Sequence, residues 1–433
     1  MKMLTASEAV RQTIETVKQK LMPIAPELCA PFERCFLSNL KIAAAPEADG
    51  SVFLVTGDIP AMWLRDSSCQ LRPYVFLAGK DPQIRSLISG VIRRQMAGIL
   101  KDPYANAHTR SPEEPSEWTE DLTEMKPGVW ERKFEIDSLC WPFFLAWYYR
   151  QQTGYEDIFD ETFLRAARQT LAVFRTEQQH ESASPYRFQR KGAPYIDSLS
   201  REGRGALVRE GTGLIWSGFR PSDDACAYGY LIPSNMFAVS VLEKLDEISR
   251  EVYGDQAFAA ECRRLSEEVR TAIEREAVVP TGSDRFDEPY YAYEVDGYGQ
   301  YLIMDDANFP NLLSAPYLGY CSSSAPLYQA TVRKLLSDEN PYYYRGPAAE
   351  GLGSIHTRAG YVWPLSLGMR GLVTDDPDVR LDMARRMAAL TAGTDLMHES
   401  VNVCDPWDYT RPLFGWANAI YCELILKICG LLS

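Results

Sequence analysis

Histidine is scarce in this chain: there are four, at positions 108, 180, 356 and 398, and no HExxH motif. Scattered imidazoles do not supply the ligand spacing of a zinc or iron centre, so no metal and no other cofactor is expected. Cysteine occurs ten times but never as CxxC, which excludes zinc-ribbon and thioredoxin-type chemistry. Most of the ten lie in apolar patterns that read as helical (Cys140, Cys226, Cys262, Cys422, Cys429), as expected of reduced, buried thiols in a cytoplasmic protein. The stretch MKMLTASEAVRQTIETVKQK has no apolar core of the kind a signal peptide carries, and no run approaches membrane-spanning length. No membrane partner is therefore expected. Basic residues are outnumbered, 45 Lys and Arg against 59 Asp and Glu, for a formal charge of −14. Nucleic-acid binding needs basic stripes, so that class is excluded too. Gly351, Gly353 and Gly360 do not follow a strand, which excludes a phosphate or dinucleotide loop. No low-complexity linker or fixed-period repeat is present, and residues 1–433 are expected to form a single domain. Nothing in the residues specifies an oligomeric state.

What is present is apolar periodicity at helical spacing. Ile136, Leu139, Cys140, Phe143, Phe144 and Trp147 form one stripe; Phe237, Val241, Leu245, Ile248 and Val252 form another. Cys262, Leu265, Val269 and Ile273 repeat it, as do Leu413, Trp416, Ala417, Ile420, Leu424 and Ile428. Strand-like alternation is confined to short pieces such as 51–56 and 289–295. Apolar helices are expected at roughly 64–78, 135–150, 233–250, 306–320, 359–372 and 412–430. More charged helices are expected at roughly 7–20, 84–100, 158–177, 255–277, 325–337 and 376–392. Twelve helices alternating in this way predict an all-α (α/α)6 barrel with short β pieces in its loops. The loops preceding the inner helices would then share one face.

Those loops hold the unusual residues: DIPAMWLRDS, GVWERKFEIDS, WSGFRPSDDACAYGY, MDDANFPN, GSIHTRAGYVWP and MHESVNVCDPWDYTRP. Carboxylates, amides, imidazole and indole beside Gly and Pro are the composition of a sugar pocket. Indole and phenol rings cover the C–H face of a pyranose, and carboxylates and Arg take its hydroxyls. Trp63, Arg65, Asp66, Glu135, Asp137, Trp216, Asn308, His356 and Trp407 are the candidate sugar-binding residues.

Hydrolysis of a glycosidic bond needs two carboxyl groups. The candidates are Asp66, Glu135, Asp137, Asp223, Asp224, Asp305, Asp306, Glu399, Asp405 and Asp408. Each has a plainer role open to it. Ser222 or Asp223 could cap a helix opened by Arg220-Pro221. Arg65 and Asp66 could be a salt bridge at a helix start. Glu399 could be a solvated loop residue. Trp216, Phe219, Tyr228 and Tyr230 offer the Asp223–Asp224 pair an apolar setting that would raise a carboxyl pKa.

The segments DIPAMWLRDS, KFEIDSLCWP, SGFRPSDDACAYGYLIPSNMFA, DDANFPNLLSAPYLGY, GYVWPLSL and HESVN with PWDYTRPLFGWANA resemble glycoside hydrolase family 125, from about residue 25 to 430. The resemblance implies an exo-acting, inverting α-mannosidase with an (α/α)6 barrel as its catalytic domain. It also implies metal independence and a substrate bearing terminal α-1,6-linked mannose. By the same resemblance the general acid maps to Asp223, with Asp224 the alternative, and the general base to Glu399. Arg65 and Asp66 map to the segment holding the terminal mannose, with His356 and Asp137 lining the same subsite. An inverting pair of this kind is separated by roughly 6.5–9.5 Å. The rival readings are another six-hairpin α-glycosidase, glucoamylase- or trehalase-like, and a glycan-binding protein without catalysis.

Overall fold

The computed structural model of the protein describes residues 6–42, 46–283 and 285–432, and helices dominate them. None of these helices is long and apolar enough to cross a membrane. The chain divides into two compact units. One comprises Met1–Arg94, Leu145–Ile158 and Tyr342–Ser433; the other comprises Gln95–Phe144 and Phe159–Pro341.

In the first unit, helix Glu8–Leu21 starts where Ser7 accepts the Val10 N–H, and it buries Val10, Ile14, Val17 and Leu21. Helix Cys29–Ile42 has no counterpart among the expected elements, although Phe32, Cys35, Phe36 and Leu40 are buried along it. The expected helix at 64–78 is α-helical over Leu64–Leu71 and continues as a 3₁₀ segment, Arg72–Leu77, where Pro73 removes a backbone donor. Helix Gly415–Ile428 packs on Cys29–Ile42 and Leu64–Leu71. It also packs on Pro364–Val373, which pairs in turn with Pro377–Ala389. The approach is close enough to require glycine: a Cβ on Gly368 would lie 2.2 Å from Ile420 Cγ2. Strands Tyr361–Val362, Ser400–Asn402 and Asp405–Thr410 form an antiparallel sheet. The 51–56 stretch forms only isolated bridges, not a strand.

In the second unit, Ile232–Glu251 lies along Gln256–Glu276. Phe237, Val241, Leu245 and Ile248 are buried on the first, and Cys262, Leu265, Val269 and Ile273 on the second. Helix Glu161–Glu177 is capped by Asp160, and Ile136–Thr153 begins in this unit. The alternation at 289–295 is present as two short strands, Tyr290–Tyr291 and Glu294–Val295. The expected helix at 306–320 is absent. Only a 3₁₀ turn, Leu312–Ser314, occurs there, with Asn311 and Ser314 forming a capping box. Pro310 and Pro316 bring no N–H, and the buried Asp305 carboxylate accepts the Leu312 and Leu313 N–H groups at 2.9 and 3.0 Å. A side chain thus supplies acceptors where a helix would have used carbonyls.

Candidate active site

The Ser-Asp-Asp motif opens no helix. Asp223 N–H donates to Arg220 O at 2.9 Å, and Arg220 N–H donates to Asp224 O at 2.8 Å. Phe219 pairs with Ala225, and Cys226 N–H donates to Gly218 O, so residues 218–226 form a tight hairpin. Pro221 stands at the first central position of its turn, which suits its fixed φ. Asp223 follows at φ 68°, the left-handed residue of a three-residue hairpin loop, where Gly is usual. Capping is therefore not the role of Ser222 or Asp223, and Cys226 lies on the hairpin, outside any helix. Asp223 is half-buried and Asp224 is buried.

Three ion pairs that lack any local spacing signature occur in this unit, the first of them on the hairpin itself. Arg220 Nε meets Glu294 Oε1 at 2.5 Å, and Glu294 Oε2 accepts the Tyr228 N–H at 2.8 Å. Burial alone would lower the Arg220 pKa, but the Glu294 carboxylate outweighs it and the guanidinium sits well above its ordinary value. Arg190 forks onto Asp121 at 2.9 and 2.7 Å and reaches Glu131 at 2.8 Å.

Of the other candidates in this unit, Glu135 is buried and accepts from Ser138 Oγ at 2.7 Å. Asp137 is fully buried in the first turn of Ile136–Thr153. Asn308 is buried, with its backbone N–H and its amide both donating to Asp306 Oδ1 at 2.8 Å. Asp305 is held as a cap of the 312–314 turn, and burial pushes its pKa up to about 8. Trp216 does not present a face for a pyranose. It has no exposed surface, stacks on His180 at 3.6 Å, and faces Phe134 at 6.2 Å. Its indole belongs to the core behind the hairpin. Trp216→Ala is expected to lower unfolding stability by about 3–5 kcal/mol, measured by urea denaturation, because no neighbour can fill the space.

In the first unit, Trp63 occupies the N-cap position of helix Leu64–Leu71 and is largely buried. Arg65 and Asp66 follow in the first helical turn, both buried, with Nε and Oδ2 3.7 Å apart. The Arg65 guanidinium also lies 5.3 Å from the Trp416 ring centroid. Arg65 and Asp66 thus form a buried ion pair within this unit. Glu399 is buried at the entrance to strand Ser400–Asn402, and Arg411 Nε reaches its Oε1 at 3.1 Å. It is not a solvated loop residue. His356 is exposed, its ring 6.2 Å from that of Trp363. Trp407 is 70% exposed on strand Asp405–Thr410. The neighbouring carboxylates have structural work: Asp405 accepts the Trp407 N–H, and Asp408 accepts from Tyr361 Oη at 2.5 Å and from Asn402 at 2.9 Å. Those two hydrogen bonds hold the Asp408 pKa below its ordinary value.

Among the described residues no group of three or more His, Cys, Asp or Glu could hold a metal ion. Comparison with known proteins gives this arrangement its context. The family model described as metal-independent alpha-mannosidase (GH125) matches residues 25–426. A Streptococcus pneumoniae metal-independent α-mannosidase, solved in a non-productive complex with α-1,6-mannobiose, is 44% identical with a TM-score of 0.95, covering 99% of this chain and all of that one. The meiotically up-regulated gene 157 protein of Schizosaccharomyces pombe is 36% identical, covering 98% of this chain and 86% of its own. A bacterial glucoamylase complexed with acarbose shares the fold, with a TM-score of 0.59 at 13% identity, over 97% of this chain and 58% of that one. The fold is thus the (α/α)6 barrel of six-hairpin glycosidases, and the family match decides against the glucoamylase-like and non-catalytic readings. The chain is a glycoside hydrolase and belongs to the GH125 family of metal-independent α-mannosidases.

Proposed function

We propose that the protein removes terminal non-reducing α-1,6-linked mannose from oligosaccharides or N-glycan fragments, with inversion at the anomeric carbon. The observation that carries this reading is the full-length likeness to the pneumococcal enzyme holding α-1,6-mannobiose. Asp223 is the general acid: its proton passes to the interglycosidic oxygen as the C1–O bond breaks and the bonding pair leaves with that oxygen. Glu399 is the general base, taking a proton from water while the water oxygen bonds to C1 on the opposite ring face. Trp63, Arg65, Asp66, Glu135, Asp137, Asn308, His356 and Trp407 bind the sugar. Residues 1–433 act as one catalytic domain, a reading supported by a family match that runs through both units. Ten unpaired cysteines support a reducing, cytoplasmic location.

NMR-monitored hydrolysis of α-1,6-mannobiose tests substrate and stereochemistry together. β-Mannose is the expected first product, and EDTA is expected to leave the rate unchanged. Initial release of α-mannose would mean retention and a different pair of carboxylate roles. Turnover of α-glucosides in place of α-mannosides would overturn the substrate reading.

A further inference from the structure

Asp223 is gripped at two points: by Asn106, which lies outside every loop that reads as sugar-binding, and by Lys133, in the middle of one of them. Strands Ala107–His108 and Val129–Glu131 pair antiparallel, with Ala107 opposite Glu131. That register sets Asn106, one residue before the first strand, beside Lys133, two residues after the second. The Asn106 side-chain Oδ1 accepts the Lys133 backbone N–H at 3.1 Å. Its amide nitrogen then faces two carboxylates, donating to Glu131 Oε2 at 2.9 Å and reaching Asp223 Oδ1 at 3.4 Å. The amide cannot be flipped, because its oxygen would then oppose both carboxylates and its NH₂ would oppose an N–H.

Lys133 holds the other end. Its ammonium donates to the Asp223 carbonyl oxygen at 2.8 Å and pairs with Asp197. The side chains of Asn106 and Lys133 are both buried, and Arg190 anchors the group from behind through Glu131 and Asp197. Main chain and side chain of one left-handed residue are thus fixed by a strand pair nearly a hundred positions earlier in the sequence.

We propose that Asn106 and Lys133 are positioning residues for the general acid. Lys133 holds the Asp223 main chain in the left-handed turn. Asn106 aims the carboxyl and donates to an oxygen that carries negative charge once the proton has gone to the leaving group. The proposal rests on Asp223 being the acid. It adds that the acid works only when gripped at both points.

The test exploits leaving-group chemistry. Departure of an alkoxide from α-1,6-mannobiose needs a proton; departure of fluoride from α-mannosyl fluoride needs little help. Asn106→Ala is expected to lower kcat on mannobiose about 10- to 100-fold, a share of the 10²–10⁴-fold that acid catalysis supplies. KM on mannobiose, and kcat on the fluoride, are expected to stay within about threefold, because binding and water activation are untouched. Asn106→Ser, which is too short to reach either carboxylate and adds no charge beside them, is expected to show the same selectivity. Lys133→Arg, which keeps a cationic donor, is expected to retain more mannobiose activity than Lys133→Met. Melting curves establish that each variant is folded, and Asn106→Ser serves if the alanine variant is not. Equal losses on both substrates, or a loss confined to KM, would overturn the proposal. Asp223→Asn is measured alongside. If it keeps turning over mannobiose, or if Asp224→Asn shows the selective loss instead, the acid assignment itself has failed and the grip falls with it. If Asp223→Asn behaves as an acid variant and Asn106→Ala does not, only the grip has failed.

Discussion

Asp223→Asn is expected to reduce kcat on α-1,6-mannobiose by about 10²–10⁴-fold, with KM little changed. The substitution is nearly isosteric, and Asn tolerates the left-handed φ of 68° found here as well as Asp does. The hairpin bonds from Arg220 and the Lys133 contact involve the main chain at 223 and 224, so they survive the exchange. What is lost is a proton of suitable acidity next to the leaving oxygen. A loss in kcat and kcat/KM together is the signature of an interaction made in the transition state only. Steady-state kinetics on mannobiose, compared with Asp224→Asn, checks the assignment. Asp224 is buried beneath the turn, and its amide variant should keep the larger share of activity. The opposite ranking would move the acid by one residue.

Glu399→Gln is expected to be at least as severe, with a loss on the order of 10³-fold or more. The amide keeps the size of the side chain at the mouth of strand Ser400–Asn402 and can still accept from Arg411, but it cannot take a proton from water. An activated leaving group separates the two variants. α-Mannosyl fluoride bypasses the need for an acid, so it should restore much of the activity of Asp223→Asn. It does not bypass water activation, so Glu399→Gln should stay inactive on fluoride and mannobiose alike. Rescue of Glu399→Gln by the fluoride would reassign Glu399 to the leaving-group side. Part of the Arg411 contact is exposed to solvent, so its loss should change the melting temperature little.

The helices were legible in the sequence wherever a buried stripe was long enough to show its period. Phe237, Val241, Leu245 and Ile248 specify their helix, as do Cys262, Leu265, Val269 and Ile273. Helix Cys29–Ile42, which lies outside the twelve expected helices, carries the same signal in Phe32, Cys35, Phe36 and Leu40. The region 306–320 misled for a physical reason: its apolar residues are buried, but by turns whose N–H groups are satisfied by Asp305 and Asn311. Periodicity reports burial, and burial alone does not make a helix.

The site was legible as composition and illegible as geometry. Arg65 and Asp66 adjoin in sequence, and their pairing could be weighed in advance. Arg220 and Glu294, 74 positions apart, could not be matched by any spacing rule, nor could Asn106 and Asp223, 117 apart. Arg-Pro-Ser-Asp was ambiguous because Pro suits both the first turn of a helix and the first central position of a β-turn. Only the long-range partners of the chain decide between those uses. Trp216 failed as a sugar platform because aromatic residues in a loop serve a core as readily as a ligand.

The left-handed conformation at Asp223 has a consequence for how such a protein can be improved. A side chain other than Gly, Asn or Asp is disfavoured there, and even Asp sits where Gly would be more relaxed. With Asp223 as the proposed acid, a library sorted for heat resistance alone is expected to enrich Gly or Asn at this position and to deliver sturdier proteins that no longer cleave. The residue proposed as the general acid stands at the one place in the hairpin where local folding preference argues for its replacement. Any breeding scheme for robustness must score turnover and survival in the same round.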